Sequence, residues 1–242
     1  MWKNFDQQII TNLFSENRFS LYVNGFLITI LLTLGAAAIG IIIGSLTAII
    51  KIYARANIRN QYKSPFYRFI WKTLNFLCDL YTTVIRGTPM TMQLLIFAFV
   101  IFSALPMNAM FYVAMLAFGI NSGAYVSEVI RAGILSINVG QTEAGRSLGL
   151  NNNQTMWKII FPQALRNILP ALGNEAITLL KETSIASFIA VADMTYAASL
   201  IRSRTYSAVP LLFVALIYLG VVTLLTWILQ RVERRLDTND RR

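Results

Sequence analysis

Histidine is absent from the 242 residues, and cysteine occurs once. Without histidine, the side chain most often used as a general base and the commonest metal ligand are both missing, so most hydrolytic and metal-dependent chemistries lose their usual actor. Cys78 has no intrachain partner for a disulfide and no clustered ligands for a zinc or iron–sulfur site, which leaves it as a small apolar filler. Charge is scarce as well. Only 13% of residues are Asp, Glu, Lys or Arg against 56% hydrophobic, a balance outside that of water-soluble globular domains. Tandem repeats, low-complexity tracts and interdomain linkers are missing too, so residues 1–242 are expected to form one integral membrane domain.

What is present is long apolar sequence. Residues 26–50, FLITILLTLGAAAIGIIIGSLTAII, carry no charge. They exceed the roughly 20 residues that cross a bilayer core as a helix. A polar tail of mixed charge precedes this run, which is too long for a cleavable leader, so the first span is expected to stay in the mature protein. Hydropathy predicts an all-α integral membrane fold of about five spans, near 22–50, 77–103, 109–131, 168–190 and 209–230. SALPMN at 103–108 supplies an uncharged reversal between the second and third. Gly40-xxx-Gly44 and Gly119-xxx-Gly123 have the spacing that lets helix backbones approach closely.

The net charge of +10 does not read as a nucleic-acid footprint, because the cations sit beside spans. Lys51, Arg55, Arg59, Lys63, Arg68 and Lys72 fall between the first two spans with no acid among them, and this loop is expected to be cytoplasmic. Arg131, Arg146, Lys158 and Arg166 between spans three and four, and the tail RVERRLDTNDRR, fit the same side. The other side holds Lys3 and Arg18, balanced by Asp6 and Glu16, together with Arg202 and Arg204. The N-terminus is thus expected outside and the C-terminus inside.

One stretch does not belong in a membrane. In EAGRSLGLNNNQTMWKIIFPQALRN (143–167), Thr142 is expected to cap a short helix from Glu143, whose carboxylate suits the positive helix end. Gly149 stops that helix, the three asparagines turn the chain, and a second helical piece ends near Pro162, which opens the next element. Such a segment, about 138–162, is too polar to insert and has the look of a docking surface for a soluble partner.

The segment resembles the EAA loop of permease subunits of bacterial ABC importers, E-A-A-x3-G-x9-I-x-L-P, at Glu143, Ala144, Gly145, Gly149, Ile159, Phe161 and Pro162, with Gly145 for Ala and Phe161 for Leu. NGFLITILLTL (24–34), RGTPMTMQLLIF (86–97), AYVSEVIRAGI (124–134) and KETSIASFI (181–189) are similar to the histidine, arginine, glutamine and glutamate branch of that family. The resemblance implies the type I importer transmembrane fold and a site in the bacterial cytoplasmic membrane. It further implies a second permease subunit, identical or paralogous, an ATP-binding subunit that receives the Glu143 helix, and an extracellular or periplasmic amino-acid-binding protein. No G-x-x-x-x-G-K-[ST] loop is present, so ATP and magnesium are expected in the partner and no cofactor or metal in this chain, which is not expected to be an enzyme.

Charged groups within spans are costly, about 2.5–3.5 kcal/mol at a helix centre, and each needs a reason. Asn121, Tyr125 and Glu128 share one helix face by spacing, and Glu175, Thr178 and Glu182 share another, with Asn174 and Lys181 in step with Thr178. These faces are candidates for a substrate path. The alternatives are that Glu128 pairs with Arg131, and that Glu182 pairs with Lys181 or reaches outward. Arg86, beside Gly87 and Pro89, is expected to anchor a kinked span at the headgroups. The carboxylates lean the cargo toward a cationic amino acid (arginine, lysine or histidine). Glutamine, glutamate or cystine in the same importer class, or an ion-coupled secondary transporter, are the other readings.

Overall fold

A computed structural model describes residues 11–13, 15–59 and 64–238. Lys3, Asp6, Lys63, Arg241 and Arg242, used above to orient the chain, lie outside the described residues. All regular elements among the described residues are helical.

Helix α1 runs Arg18–Arg59, 42 residues with no proline and no acid. At about 1.5 Å per residue it is about 63 Å long, more than a bilayer core requires. The basic loop expected from residue 51 onward is therefore mostly helix, because no breaker interrupts the chain before Ser64 and Pro65. Lys51 and Arg55 belong to α1, and Arg68 and Lys72 belong to α2, Pro65–Gly87. Ser64 caps α2 by accepting from the Tyr67 amide at 3.3 Å, with proline in the first turn.

The second expected span, 77–103, is two helices. After Gly87 the chain is extended at Thr88 (φ −122°, ψ 145°), the conformation a following proline imposes. Helix α3, Met90–Ile96, then restarts and widens into a π-turn over Phe97–Ile101. The third span matches α4, Met110–Leu135. A short α5 (Val139–Ser147) and α6 (Asn152–Thr155) precede α7, Phe161–Glu182, which continues as a 3-10 turn over Thr183–Ile189. Helix α8, Met194–Thr205, is not marked by hydropathy, being twelve residues with two arginines. The last helix, α9, spans Val209–Thr238. Three helical stretches, Arg18–Arg55, Met107–Leu135 and Val209–Arg235, are long and apolar enough to cross a membrane. Counting the broken pairs Pro65–Gly87 with Met90–Ile101 and Asn152–Ile189 with Met194–Thr205 as one span each makes up to five.

The chain divides into two compact units, and α1, α4, α7 and α9 are each shared between them. The first comprises the described part of Met1–Ala38, Pro89–Gly119 and Ala176–Trp227. Its core includes Leu32, Leu94, Phe118 and Leu179, and a second cluster gathers Tyr22, Met194, Ala198, Ile201 and Val214. The Asp193 carboxylate caps α8 by accepting from the Tyr196 amide at 2.8 Å, and Thr29 Oγ1 accepts from the Met194 amide at 3.3 Å.

The second unit comprises Ile39–Thr88, Ile120–Glu175 and the described part of Ile228–Arg242. Here the small residues of α1 and α4 meet. A Cβ on Gly44 would lie 2.5 Å from Val126 Cγ1 and 2.8 Å from the Gly123 carbonyl oxygen, and one on Gly40 would lie 2.9 Å from Ser122. Replacing Gly44 by leucine is expected to force these helices apart at a cost of about 1–3 kcal/mol. Thermal unfolding of the detergent-solubilised protein checks this: the midpoint should fall by several degrees, and an unchanged midpoint would contradict the packing.

Candidate functional site

The polar segment is closed by caps at each turn. Asn138 Oδ1 accepts from the Gly140 amide at 2.8 Å, so α5 is capped four residues before the expected cap at Thr142. Asparagine is the stronger N-cap, and the earlier start adds a turn of helix. Glu143 therefore lies within α5 rather than in its first turn, and the helix-dipole benefit expected for it does not apply. At the other end Gly149 adopts φ +80°. Its amide donates to Arg146 O at 3.0 Å and the Leu150 amide donates to Gly145 O at 3.1 Å, the paired closure that a left-handed glycine permits.

Asn151 and Gln154 then form a reciprocal capping box, each side chain accepting from the other's amide at 2.9 Å. The helical run does not stop at Pro162. It widens into a π-turn over Met156–Ile160, with the Phe161 amide donating to Met156 O, and continues into α7. The widened turn makes room for a proline ring that would otherwise clash with the carbonyl four residues back.

Gly145 is buried inside this segment. A Cβ there would come 2.8 Å from Thr155 Cγ2 and 3.0 Å from Ile159 Cδ1, so the departure from alanine is matched by the residues packed over it. Phe161 stacks at a tilt on Trp157, centroids 5.0 Å apart. Gln163 Nε2 donates to Ile159 O at 2.9 Å and to Gln141 Oε1 at 3.3 Å, tying α5 to α7. Glu143, Ala144, Arg146, Gly149 and Pro162 are exposed, and so are two apolar side chains, Val139 at 70% and Leu148 at 79%. An exposed surface mixing charge with isolated large apolar groups on a capped helix is suited to docking a protein.

The intramembrane candidates divide between the units. In the second unit Ser122 Oγ donates to Glu175 Oε1 at 3.3 Å, joining α4 to α7, beside buried Asn121 on α4. The Arg86 guanidinium lies 5.5 Å from the centre of the Tyr125 ring, within cation–π range. Glu128 is held by Arg131, with Nε donating to Oε2 at 2.9 Å and a second bond from the terminal guanidinium nitrogen to Oε1. Asn174 is exposed. Thr178, exposed, and Glu182, half-buried, belong to the first unit.

Sequence reasoning missed an ion pair in the second unit. Lys51 Nζ lies 2.8 Å from Asp79 Oδ1 and donates to Thr82 Oγ1 at 3.0 Å, with the lysine only 6% exposed. Asp79 is the one acid between Glu16 and Glu128, and that isolation within an apolar stretch was the available signal.

The model of a family described as "Binding-protein-dependent transport system inner membrane component" matches residues 67–238. The chain belongs to that family. It is 39% identical over 220 residues to the arginine transport system permease protein ArtQ of Bacillus subtilis, spanning 90% of this chain and 93% of that one. It is 34% identical over 219 residues to a putative glutamine transport system permease protein GlnP of Rickettsia typhi, with the same coverage of 90% and 93%. A crystal structure of an amino acid ABC transporter with histidines superposes with a TM-score of 0.77 at 38% identity, over 90% of this chain and 94% of that one. The resemblance read from the EAA-like segment and its companion stretches is thus borne out: this binding-protein-dependent component is a permease subunit of a polar amino-acid ABC importer, with the all-helical membrane fold of that class. Importers of this family work with an ATPase subunit and a binding protein, and the reading as an ion-coupled secondary transporter is set aside.

The Gly145 packing predicts the outcome of a substitution in this permease. Gly145→Val should lift α5 from Thr155 and Ile159, and amide hydrogen exchange over residues 139–150 should speed up at least tenfold while the spans stay protected. Unchanged exchange would contradict the contact.

Proposed function

We propose that this permease carries cationic amino acids, arginine, lysine or histidine, by alternating access powered by a separate ATPase that docks on the exposed face of α5. The observation that carries the cargo reading is Glu175, a carboxylate on α7 met by the Ser122 hydroxyl of α4 in the unit that also holds Asn121 and Tyr125. Glu128 is committed to Arg131 and has less to offer a cation. Asn174, in the same unit, is assigned to this path, and Thr178 and Glu182 continue the polar sequence of α7 into the first unit as further candidates. The likeness to an arginine system permease supports this cargo, and the likeness to a glutamine system permease supports glutamine as the second reading.

In this account Glu143, Ala144, Gly145, Gly149, Ile159, Phe161 and Pro162 form the coupling element, with Glu143 and Ala144 facing the ATPase and Gly145 and Ile159 holding α5 to the π-turn. ATP binds more tightly to the closed ATPase pair, and that difference is what biases the spans between inward-open and outward-open states. ATP and magnesium reside in the partner. A second permease subunit completes the path, the binding protein delivers cargo from outside, and the orientation is N-terminus outside, C-terminus in the cytoplasm.

Three outcomes test this. In proteoliposomes with the ATPase and loaded binding protein, arginine uptake should require ATP and resist excess glutamine. Glu175→Gln should lower it about tenfold or more, the value of a charged hydrogen bond. Uptake blocked by glutamine would reassign the cargo. Glu143→Lys should reduce co-purification of the ATPase while the chain still inserts, and undiminished association with full transport would remove Glu143 from the docking face.

A further inference from the structure

The second unit carries a recess of about 210 Å³ that lies off the cargo path and off the exposed face of α5, with Phe161 of the coupling element in its wall. Its walls come from three elements, with Ile49 and Tyr53 of α1, Ile134 of α4, and Trp157, Phe161 and Leu165 along the π-turn and α7. The lining is apolar apart from the Ser45 and Tyr53 hydroxyls and the Trp157 indole nitrogen. In a bilayer such a recess is not left to water, since its walls offer almost no hydrogen-bonding partners.

Charge at one end is of a single sign. α1 contains no acidic residue, nor does the stretch from Asn152 to Leu172, and the acid of α4, Glu128, is held by Arg131. Arg55, exposed, follows the lining residue Ile52 by one helical turn. Trp157 continues the line Phe161, Leu165, Ile168, and Lys158, exposed, is its chain neighbour. Tyr53 and Trp157 stand at the same end, and such amphipathic rings sit at headgroup level in membranes. An apolar slot whose headgroup end presents two cations with no ion pair among the described residues complements one kind of molecule.

We propose that this recess binds an anionic phospholipid, one acyl chain lying against Ile49, Ile134 and Leu165 and the phosphate meeting Arg55 and Lys158. Basic residues between spans select anionic over zwitterionic lipid by charge, whereas an apolar wall alone does not distinguish them. The assignment stands apart from the cargo reading, because none of these residues is on the proposed path.

Native mass spectrometry of the full chain, released from mixed micelles holding equal phosphatidylglycerol and phosphatidylcholine, tests it. The unaltered protein should retain phosphatidylglycerol at least fivefold over phosphatidylcholine. Arg55→Gln with Lys158→Gln, both at exposed positions, should abolish that preference while leaving some lipid of either kind bound. Ile134→Trp should fill the slot and lower retention of both. Equal retention by the unaltered protein, or a preference that survives loss of both cations, would overturn the proposal. So would a second copy of the chain retained in place of lipid and lost with Ile134→Trp.

Discussion

Hydrocarbon supplies no hydrogen bonds, so each polar group carried into the membrane must find its partner within the chain. Helices satisfy most of this by their own ladders, and the remaining structure follows from where ladders break or charges enter. Lys51 enters on α1 and is met by Asp79 and Thr82 of α2, fixing those two helices in register. Breaking such a pair strands the partner charge, which is why a marginally useful ion pair can still dictate how neighbours pack. Where the ladder ends before α8, Asp193 accepts from Tyr196 and Thr29 accepts from Met194, so the break inside the first unit leaves those amides satisfied. Close backbone approach at Gly40, Gly44 and Gly123 supplies the dispersion contacts that apolar lipid does not oppose.

The polar segment obeys the opposite rule. Outside the hydrocarbon its backbone ends face water, and side-chain caps decide whether a short helix persists. Nine residues are too few for a stable isolated helix, yet α5 is capped by Asn138, closed by the Gly149 turn and pressed onto Thr155 and Ile159 through Gly145. The π-turn before Pro162 then carries the segment into α7 without a break, so a displacement of α5 is delivered to a long helix that bears Glu175.

Much of this was legible in the sequence for physical reasons. Spans one, three and five announced themselves by uninterrupted apolar length, and the motif around Glu143 survived two substitutions because its spacing is what the fold needs. Gly149 was recognisable as a helix stop since only glycine takes φ +80° at no steric cost. In the second span Gly87 and Pro89 point to a kink, and the structure goes further, because the residue before a proline is pushed to extended backbone and Thr88 splits the span into two helices. The cap at Asn138 is not the one the sequence suggests, because acid at position 143 mimics a first-turn signal after Thr142. Pro162 suggested an end, but a π-turn accommodated it. Contacts such as Lys51 with Asp79 and Ser122 with Glu175 join residues far apart in sequence, and no local pattern encodes them.

The central claim is that the exposed face of α5 is where force from ATP hydrolysis enters this permease. Placing a photoactivatable thiol probe at Ser147→Cys, in a Cys78→Ser background of the assembled importer, tests it directly, with Tyr206→Cys, 94% exposed in the α8–α9 turn, as the control. The account predicts an adduct with the ATPase subunit from position 147 and none from position 206. An intact complex that gives no adduct from 147, or equal adducts from both positions, would contradict it.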